Sequence, residues 1–323
     1  MKTIKVGFIG AGDVSILHAE AIRRCPGAEL VGLWNITPEL AGQKSRLFGC
    51  RIYPSAEALV NDPELDAVFV LTNLETHLKY TLLALQAGKH VLVEKPAGVS
   101  VAEIEQMKTA AAQAGVICMP GHNYVYEESL VRSRELIQQG ELGQVVSVYV
   151  LYNIHHPESV AAKYPGVIRQ ILTHHAYILL YLAGPPVSLS AMKATLHYQT
   201  ISQEDIAMVN LRLQNGALAH FCASFAADDH AGDPWTVLIK VIGTAGSTRY
   251  SYRDWVELKP GIVHAQTYSA YQYSMINEVG HFINRCIRQG EPPLSTLDDA
   301  ITAQKIIEAC EASIEQGRVV EIV

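Results

Sequence analysis

The run Val6-Gly7-Phe8-Ile9-Gly10-Ala11-Gly12-Asp13-Val14-Ser15 constrains this chain more than any other segment. An apolar strand, Ile4–Ile9, turns through two glycines into a helix. This is the first half of a βαβ unit, with its glycines spaced as in a dinucleotide-binding turn. Gly10 serves the tight turn, and Gly12 lets the backbone come close to a pyrophosphate. Asp13 and Val14 stand where the helix begins and presents free N–H groups and its positive dipole end. Ser15, in the place of a third glycine, is small enough for close helix–strand packing. Such an opening commits the chain to an α/β sheet with its ligand at the carboxyl ends of the strands.

The next hundred residues continue the alternation. Strands are predicted at Glu29–Trp34, Ala67–Leu71, His90–Val93 and Val116–Met119. Helices are predicted at Val14–Arg24, Pro38–Phe48 (closed by Gly49), Tyr80–Ala87 and Val101–Ala114. Alternating strands and helices give a parallel sheet with right-handed crossovers. A dinucleotide-binding Rossmann domain is therefore expected over residues 1–122. Beyond it come a helix at Ser129–Gln139 and long alternating stretches at Val145–Asn153, Ser188–Tyr198, Ala207–Gln214, Ala217–Phe225, Trp235–Ile242 and Ser247–Tyr252. Gln214-Asn215-Gly216 marks a hairpin turn, and helices at Ile276–Gln289 and Asp298–Gln316 close the chain. Residues 123–323 thus predict an α+β domain with a large, mostly antiparallel sheet.

A second run, Gly88-Lys89-His90-Val91-Leu92-Val93-Glu94-Lys95-Pro96, is an apolar strand ending in Glu-Lys-Pro. It places the amine of Lys95 at the carboxyl edge of the same sheet, where ligands of open α/β sheets bind. About 20 residues past the glycine turn, such sites carry an acid for the ribose 2′-hydroxyl. Here the residue is Asn35, and Lys44 and Arg46 lie a helical turn or more away. NAD is the expected cofactor, with NADP as the alternative.

With 49% hydrophobic and 18% charged residues in 323, both domains can bury large cores. The net charge of −7 argues against nucleic-acid and anionic-membrane partners, which call for a basic face. The six cysteines are scattered, with no C-x-x-C pair, and read as reduced thiols. With no apolar leader and no span of about 18 apolar residues, the expected compartment is the cytoplasm. His155-His156, His174-His175 and Asp228-Asp229-His230 fit no compact metal motif, so no metal is expected.

Glu94-Lys95-Pro96 together with Thr72-Asn73-Leu74-Glu75-Thr76-His77 and the glycine turn resembles the Gfo/Idh/MocA family. The resemblance runs on through Gly121-His122-Asn123, Gly140-Glu141-Leu142-Gly143, Gly243-Thr244-Ala245-Gly246-Ser247 and the Glu278…His281-Phe282 helix. It covers essentially the whole chain, in order. It implies an open sheet in residues 123–323 for substrate and oligomer contacts, and NAD(P)-dependent hydride transfer at a hydroxyl-bearing carbon of a sugar, glycoside or polyol, in a homodimer or homotetramer. By the same resemblance, Lys95 contacts the substrate hydroxyl. Thr72, Asn73, His77, Glu94 and Asn123 are placed around the nicotinamide and its ribose. His175 is matched to the histidine of the family's D-x-x-x-H-x-x-D pattern and is expected to be catalytic with Lys95, its neutral imidazole taking the hydroxyl proton while Lys95 holds the oxygen, or the reverse. Counted from His175, however, the two acidic positions hold Ile171 and Ile178.

Candidate pocket residues are His155, His156, His174, Arg169 and an aromatic wall from Tyr124, Tyr126, Tyr152 and Trp235, beside the Asp228–Asp233 loop. Arg169 is read as a grip for an acidic sugar. Two alternatives stand beside this reading, the first raised by the lost acids. One is NAD-assisted cleavage, elimination or epimerisation with no net redox. The other is a non-catalytic dinucleotide-binding sensor.

Overall fold

A computed structural model of the chain describes residues 2–226, 235–251 and 265–322. The chain divides into two compact units, Met1–Tyr126 with Gln272–Ile301 and Glu127–Tyr271 with Thr302–Val323. A single boundary after residue 122 is therefore corrected, because the chain re-enters the first unit near its end. The cause is apolar packing within that unit. Leu297 and Ala300 join its core cluster, and the Phe282 ring lies 5.8 Å from that of Phe69.

In the first unit β1 (Ile4–Ile9), α1 (Val14–Arg24), β2 (Ala28–Trp34), α2 (Pro38–Phe48), β3 (Arg51–Ile52), α3 (Ala56–Val60), β4 (Ala67–Val70), α4 (His77–Gln86), β5 (His90–Val93), α5 (Val101–Ala114) and β6 (Cys118–Pro120) follow one another. The six strands pair in parallel in the order β3-β2-β1-β4-β5-β6. The order reverses at β1, which has β2 on one side and β4 on the other, and this opens a crevice at the carboxyl ends. β4 reads Ala-Val-Phe-Val with every residue buried, as a central parallel strand must be. β3 escapes sequence reasoning because its two residues are both exposed and carry no pattern.

The second unit contains α6 (Glu128–Gln138), β7 (Val145–Ile154), α7 (Glu158–Ala161), α8 (Thr173–Ala183), β8 (Pro186–Ala194), β9 (Ile206–Leu213), β10 (Leu218–Ser224), β11 (Trp235–Gly243), β12 (Ser247–Ser251) and β13 (Val320–Glu321). Its strands form one sheet, β12-β11-β7-β10-β9-β8-β13, antiparallel except for the β7–β10 pair. The alternation in β9 is strict: Ala207, Val209, Leu211 and Leu213 are buried, whereas Met208, Asn210 and Arg212 are exposed. One face of the sheet is thus covered. A π-helical turn, Ile168–Leu172, packs on β10 and runs straight into α8, whose residues Thr173–Leu179 are all buried. Tyr252 and the Asp228–Asp233 loop lie outside the described residues. Two long helices complete the chain, α9 (Ala265–His281), continued by a π-helical turn at Phe282–Ile287, and α10 (Leu297–Gln316). Among the described residues, no helix is long and apolar enough to cross a membrane.

Candidate active site

The glycine turn is built by close strand ends. Gly10 has φ +106, and a Cβ there would stand 2.5 Å from the Leu71 carbonyl oxygen just past β4. Around Gly12 the opposite holds, with no atom within 4 Å of a Cβ position. α1 carries no acidic residue in its first turn, and the exposed Asp13 at its N-cap makes no side-chain capping bond. The start of α1 therefore presents a positive dipole end next to the open space at Gly12, while the N–H groups of Gly10 and Ala11 are held by the Trp34 carbonyl and Asn35 Oδ1. Ser15 is buried and donates from Oγ to the Gly12 carbonyl at 2.6 Å. The helix start and the free volume at Gly12 together fit the pyrophosphate of a dinucleotide.

Asn35 is placed differently from the ribose contact expected of it. Its Oδ1 accepts from Ala11 N–H at 3.0 Å, and its Nδ2 donates to the Thr37 carbonyl at 3.2 Å. The amide is occupied in pinning the glycine turn to the end of β2. What that strand end presents outward is Ile36, 80% exposed.

Lys95 follows β5 and precedes Pro96 across a cis peptide bond. Beneath it Glu94 is buried, with Oε1 2.7 Å from His18 Nε2 and Oε2 accepting from Lys95 N–H at 3.0 Å. His18 lies on the inward face of α1, fully buried, with its ring edge-on to Phe69 at 5.5 Å. Burial pushes the Glu94 carboxyl up, but the His18 hydrogen bond and the neighbouring charges outweigh it and hold it below the ordinary value. Burial lowers the Lys95 ammonium to about 8, against the opposing pull of Glu94. Burial, aided by the Lys95 charge, brings His122 down to about 3, and its Nδ1 lies 2.6 Å from Ser295 Oγ. Glu278 is fully buried, and neither carboxyl oxygen has a hydrogen-bond partner among the described residues. Burial, reinforced by Glu94, raises its pKa well above the ordinary carboxylate value. Lys95 is thus the group of this cluster set to exchange a proton near neutrality.

Three residues expected at the cofactor have protein partners in this unit. Glu94 is committed to His18 and the Lys95 backbone. His77 faces two carbonyls, Pro96 O at 2.8 Å from Nδ1 and Thr72 O at 2.9 Å from Nε2. It ties the loop after β4 to the segment after β5, and burial lowers its pKa against the pull of those carbonyls. Asn123 is buried and donates from Nδ2 to Ser274 Oγ at 2.6 Å. Thr72 and the exposed Asn73 stay on the crevice loop, beside Gly10. The aromatic wall is also corrected. Tyr124 and Tyr126 belong to the buried interior of the first unit, where the Tyr126 hydroxyl reaches Met119 Sδ at 3.2 Å.

In the second unit, His175 does not have the surroundings of a proton-transfer group. Its ring is fully buried, 5.4 Å from Phe221 and edge-on to it, and neither nitrogen has a hydrogen-bond partner among the described residues. Burial pushes it down to about 3, which keeps it neutral. The polar contacts fall instead to His174, whose Nδ1 lies 2.6 Å from the Tyr177 hydroxyl, with the Tyr152 ring 5.6 Å away. The π-helical turn ends just before this residue, and π-turns gather at functional sites. Arg169 cannot grip an acidic substrate, because its Nε and Nη2 hold both oxygens of Glu311 at 2.6 and 2.8 Å. His155 stacks edge-on against His197 at 5.5 Å, and His156 packs on Phe225 at 4.8 Å. Trp235 heads β11 opposite Ile154, and its side chain lies outside the described residues. Among the described residues, no cluster of three His, Cys, Asp or Glu could hold a metal ion.

Sequence reasoning missed His18 and took Glu278 only as part of the resemblance. His18 carried a usable signal, a polar residue on the helix face that also holds Leu17, Ala21 and Ile22.

Family models match both units of the sequence. Residues 4–122 match the oxidoreductase family with an NAD-binding Rossmann fold, and residues 130–249 match the GFO/IDH/MocA C-terminal domain. The chain is 26% identical to D-apiose dehydrogenase of Paraburkholderia graminis, over 100% of this chain and 90% of that protein. It is 30% identical to 1,5-anhydro-D-fructose reductase of Ensifer adhaerens, over 68% of each. Among solved structures, GenD2 of gentamicin A biosynthesis, in complex with NAD, superposes with a TM-score of 0.90 at 24% identity, covering 100% of this chain and 97% of that one.

Proposed function

The chain belongs to the Gfo/Idh/MocA oxidoreductase family, and from that premise we propose that it is an NAD(P)-dependent dehydrogenase of a sugar, glycoside or polyol. The observation that carries this reading is Lys95, held near pKa 8 at the carboxyl edge of the sheet that carries the glycine turn. The start of α1, from Gly12 to Val14, would hold the pyrophosphate, with the Thr72–Asn73 loop lining the crevice. The bound nicotinamide supplies the hydride acceptor or donor.

Lys95, as the free amine, takes the proton from the substrate hydroxyl during oxidation and returns it during reduction. Glu94 and His18 fix the segment that carries it. In the second unit we assign the substrate-facing histidine to His174 rather than His175. The names of the relatives, a D-apiose dehydrogenase and a 1,5-anhydro-D-fructose reductase, support a carbohydrate substrate.

NAD is preferred in this reading, because Asn35 is occupied and Ile36 and Thr37 offer no cation to a 2′-phosphate. The outward sheet face of the second unit exposes Tyr149, Met208 and Leu218, and a second copy of the chain is its proposed occupant. The six free cysteines agree with a cytoplasmic location.

The test pairs NADH and NADPH fluorescence titrations with a panel of sugars, sugar acids, inositols and glycosides followed at 340 nm. Tighter NADH binding and a steady signal with one substrate class are expected. Failure to bind either dinucleotide would sink the reading.

A further inference from the structure

His18 belongs to α1, yet its side chain meets the end of β5. Its ring is fully buried, edge-on to Phe8 of β1 at 6.5 Å and to Phe69 of β4 at 5.5 Å. Nε2 lies 2.7 Å from Glu94 Oε1, whereas Nδ1 has no hydrogen-bond partner among the described residues. The other carboxyl oxygen of Glu94, Oε2, accepts from the Lys95 backbone N–H at 3.0 Å. Among the described residues, His18 is thus the one side chain hydrogen-bonded to this carboxyl.

Two opposing effects meet at Lys95. Burial favours its neutral amine, and the negative charge of Glu94 favours its ammonium. Glu94, held below its ordinary value, is ionised at neutral pH. An ionised carboxylate only accepts, so the proton between it and the imidazole sits on His18 Nε2. A proton bonded to a carboxylate oxygen offsets part of the negative charge, and it does so strongly where water is excluded. The other titratable groups facing this pair come from three elements. His77 of α4 and Glu278 of α9 feel the Glu94 charge, and His122, past β6, feels that of Lys95. None of the three is hydrogen-bonded to the Glu94 carboxyl.

We propose that His18 is a positioning residue for Lys95: by donating to Glu94 Oε1 it draws the carboxylate's charge away from the ammonium, so that Lys95 gives up its proton more readily. The inference rests on Lys95 being the base of the reaction. The fields of separate charges add, so this influence of His18 stands beside the other contacts of the amine. Because α1 follows the glycine turn, the same side chain ties the helix proposed to hold the cofactor to the strand end that carries the base.

The experiment follows the Lys95 amine itself, by NMR of the full-length protein labelled with ¹³C at lysine Cε and titrated from pH 6 to 11. Lys95→Arg identifies the signal. Wild type is compared with Glu94→Gln, His18→Ala, His18→Gln and the His18→Ala/Glu94→Gln double variant, which carries no stranded charge. The inflection should fall by about one pH unit in Glu94→Gln and rise by about one unit in His18→Ala. His18→Gln, whose amide can donate to Oε1, should bring it back toward wild type. The double variant should match Glu94→Gln, because no carboxylate charge is left for His18 to offset. A purely structural role would not move the inflection in opposite directions. An inflection in His18→Ala at or below that of wild type, or a double variant more than about half a unit from Glu94→Gln, overturns the proposal. If His18→Ala does not fold, the double variant decides. Inflections found as expected, with a pH profile of substrate oxidation that does not follow them across the variants, would leave this coupling standing and remove Lys95 as the base.

Discussion

Catalysis by Lys95 makes a quantitative demand on pH. A lysine amine acts as a base only without its proton, and the burial of this one lowers it from 10.5 to about 8. At pH 7 an amine of pKa 8 is free in about one molecule in eleven, and one of pKa 10.5 in about one in three thousand. The environment therefore gives the base an advantage of about 300-fold, equivalent to about 3.4 kcal/mol. The assay is kcat/KM for substrate oxidation from pH 6 to 10. The rate should climb about tenfold per unit below pH 8 and level off above it. Glu94 raises the Lys95 pKa, so Glu94→Gln should move the inflection to lower pH. Lys95→Arg keeps the charge but cannot give up its proton, and it should lose about 100-fold or more. A flat profile between pH 7 and 9, or an inflection near 10.5, would refute the reasoning.

Three further perturbations address the supporting structure. Gly10→Ala forces a Cβ against the Leu71 carbonyl at an unfavourable φ, so it should cost about 3 kcal/mol in urea unfolding and weaken NADH binding at least about tenfold. His18→Ala strands the buried Glu94 charge and should cost about 3–5 kcal/mol, whereas the His18→Ala/Glu94→Gln double variant should cost less than the two single changes together. Glu278 binds its proton more tightly folded than unfolded, so its contribution to stability declines as pH rises above its ordinary value of 4.5. Glu278→Gln should therefore melt higher than wild type at pH 7, with the gain shrinking toward pH 4; an equal or lower melting temperature at pH 7 would count against a raised pKa in the fold.

The glycine turn, the alternating elements and the apolar strand before Lys95 were legible because each is local and periodic. What the sequence could not reveal was which polar atoms are already taken. Asn35, His77 and Arg169 have suitable chemistry for ligand contacts, but their partners are Ala11, Thr37, Thr72, Pro96 and Glu311. Spacing alone also failed between His174 and His175, adjacent residues that meet a tyrosine hydroxyl and a phenylalanine ring respectively. The return of Gln272–Ile301 to the first unit depends on packing such as that of Phe282 on Phe69, more than two hundred positions apart, which no local pattern records.

The central claim is that this protein moves a hydride at a carbohydrate carbon with Lys95 as its base. Wild type and Lys95→Ala should be compared directly at pH 8, with saturating NAD⁺ and the substrate panel, by the gain of absorbance at 340 nm. Sustained turnover by wild type with at least one sugar or polyol, reduced about 100-fold or more in Lys95→Ala while NADH still binds, is the predicted result. Equal turnover by the two proteins would contradict the assignment of Lys95, and a wild type that binds NADH yet yields no absorbance gain with any substrate would contradict net dehydrogenation.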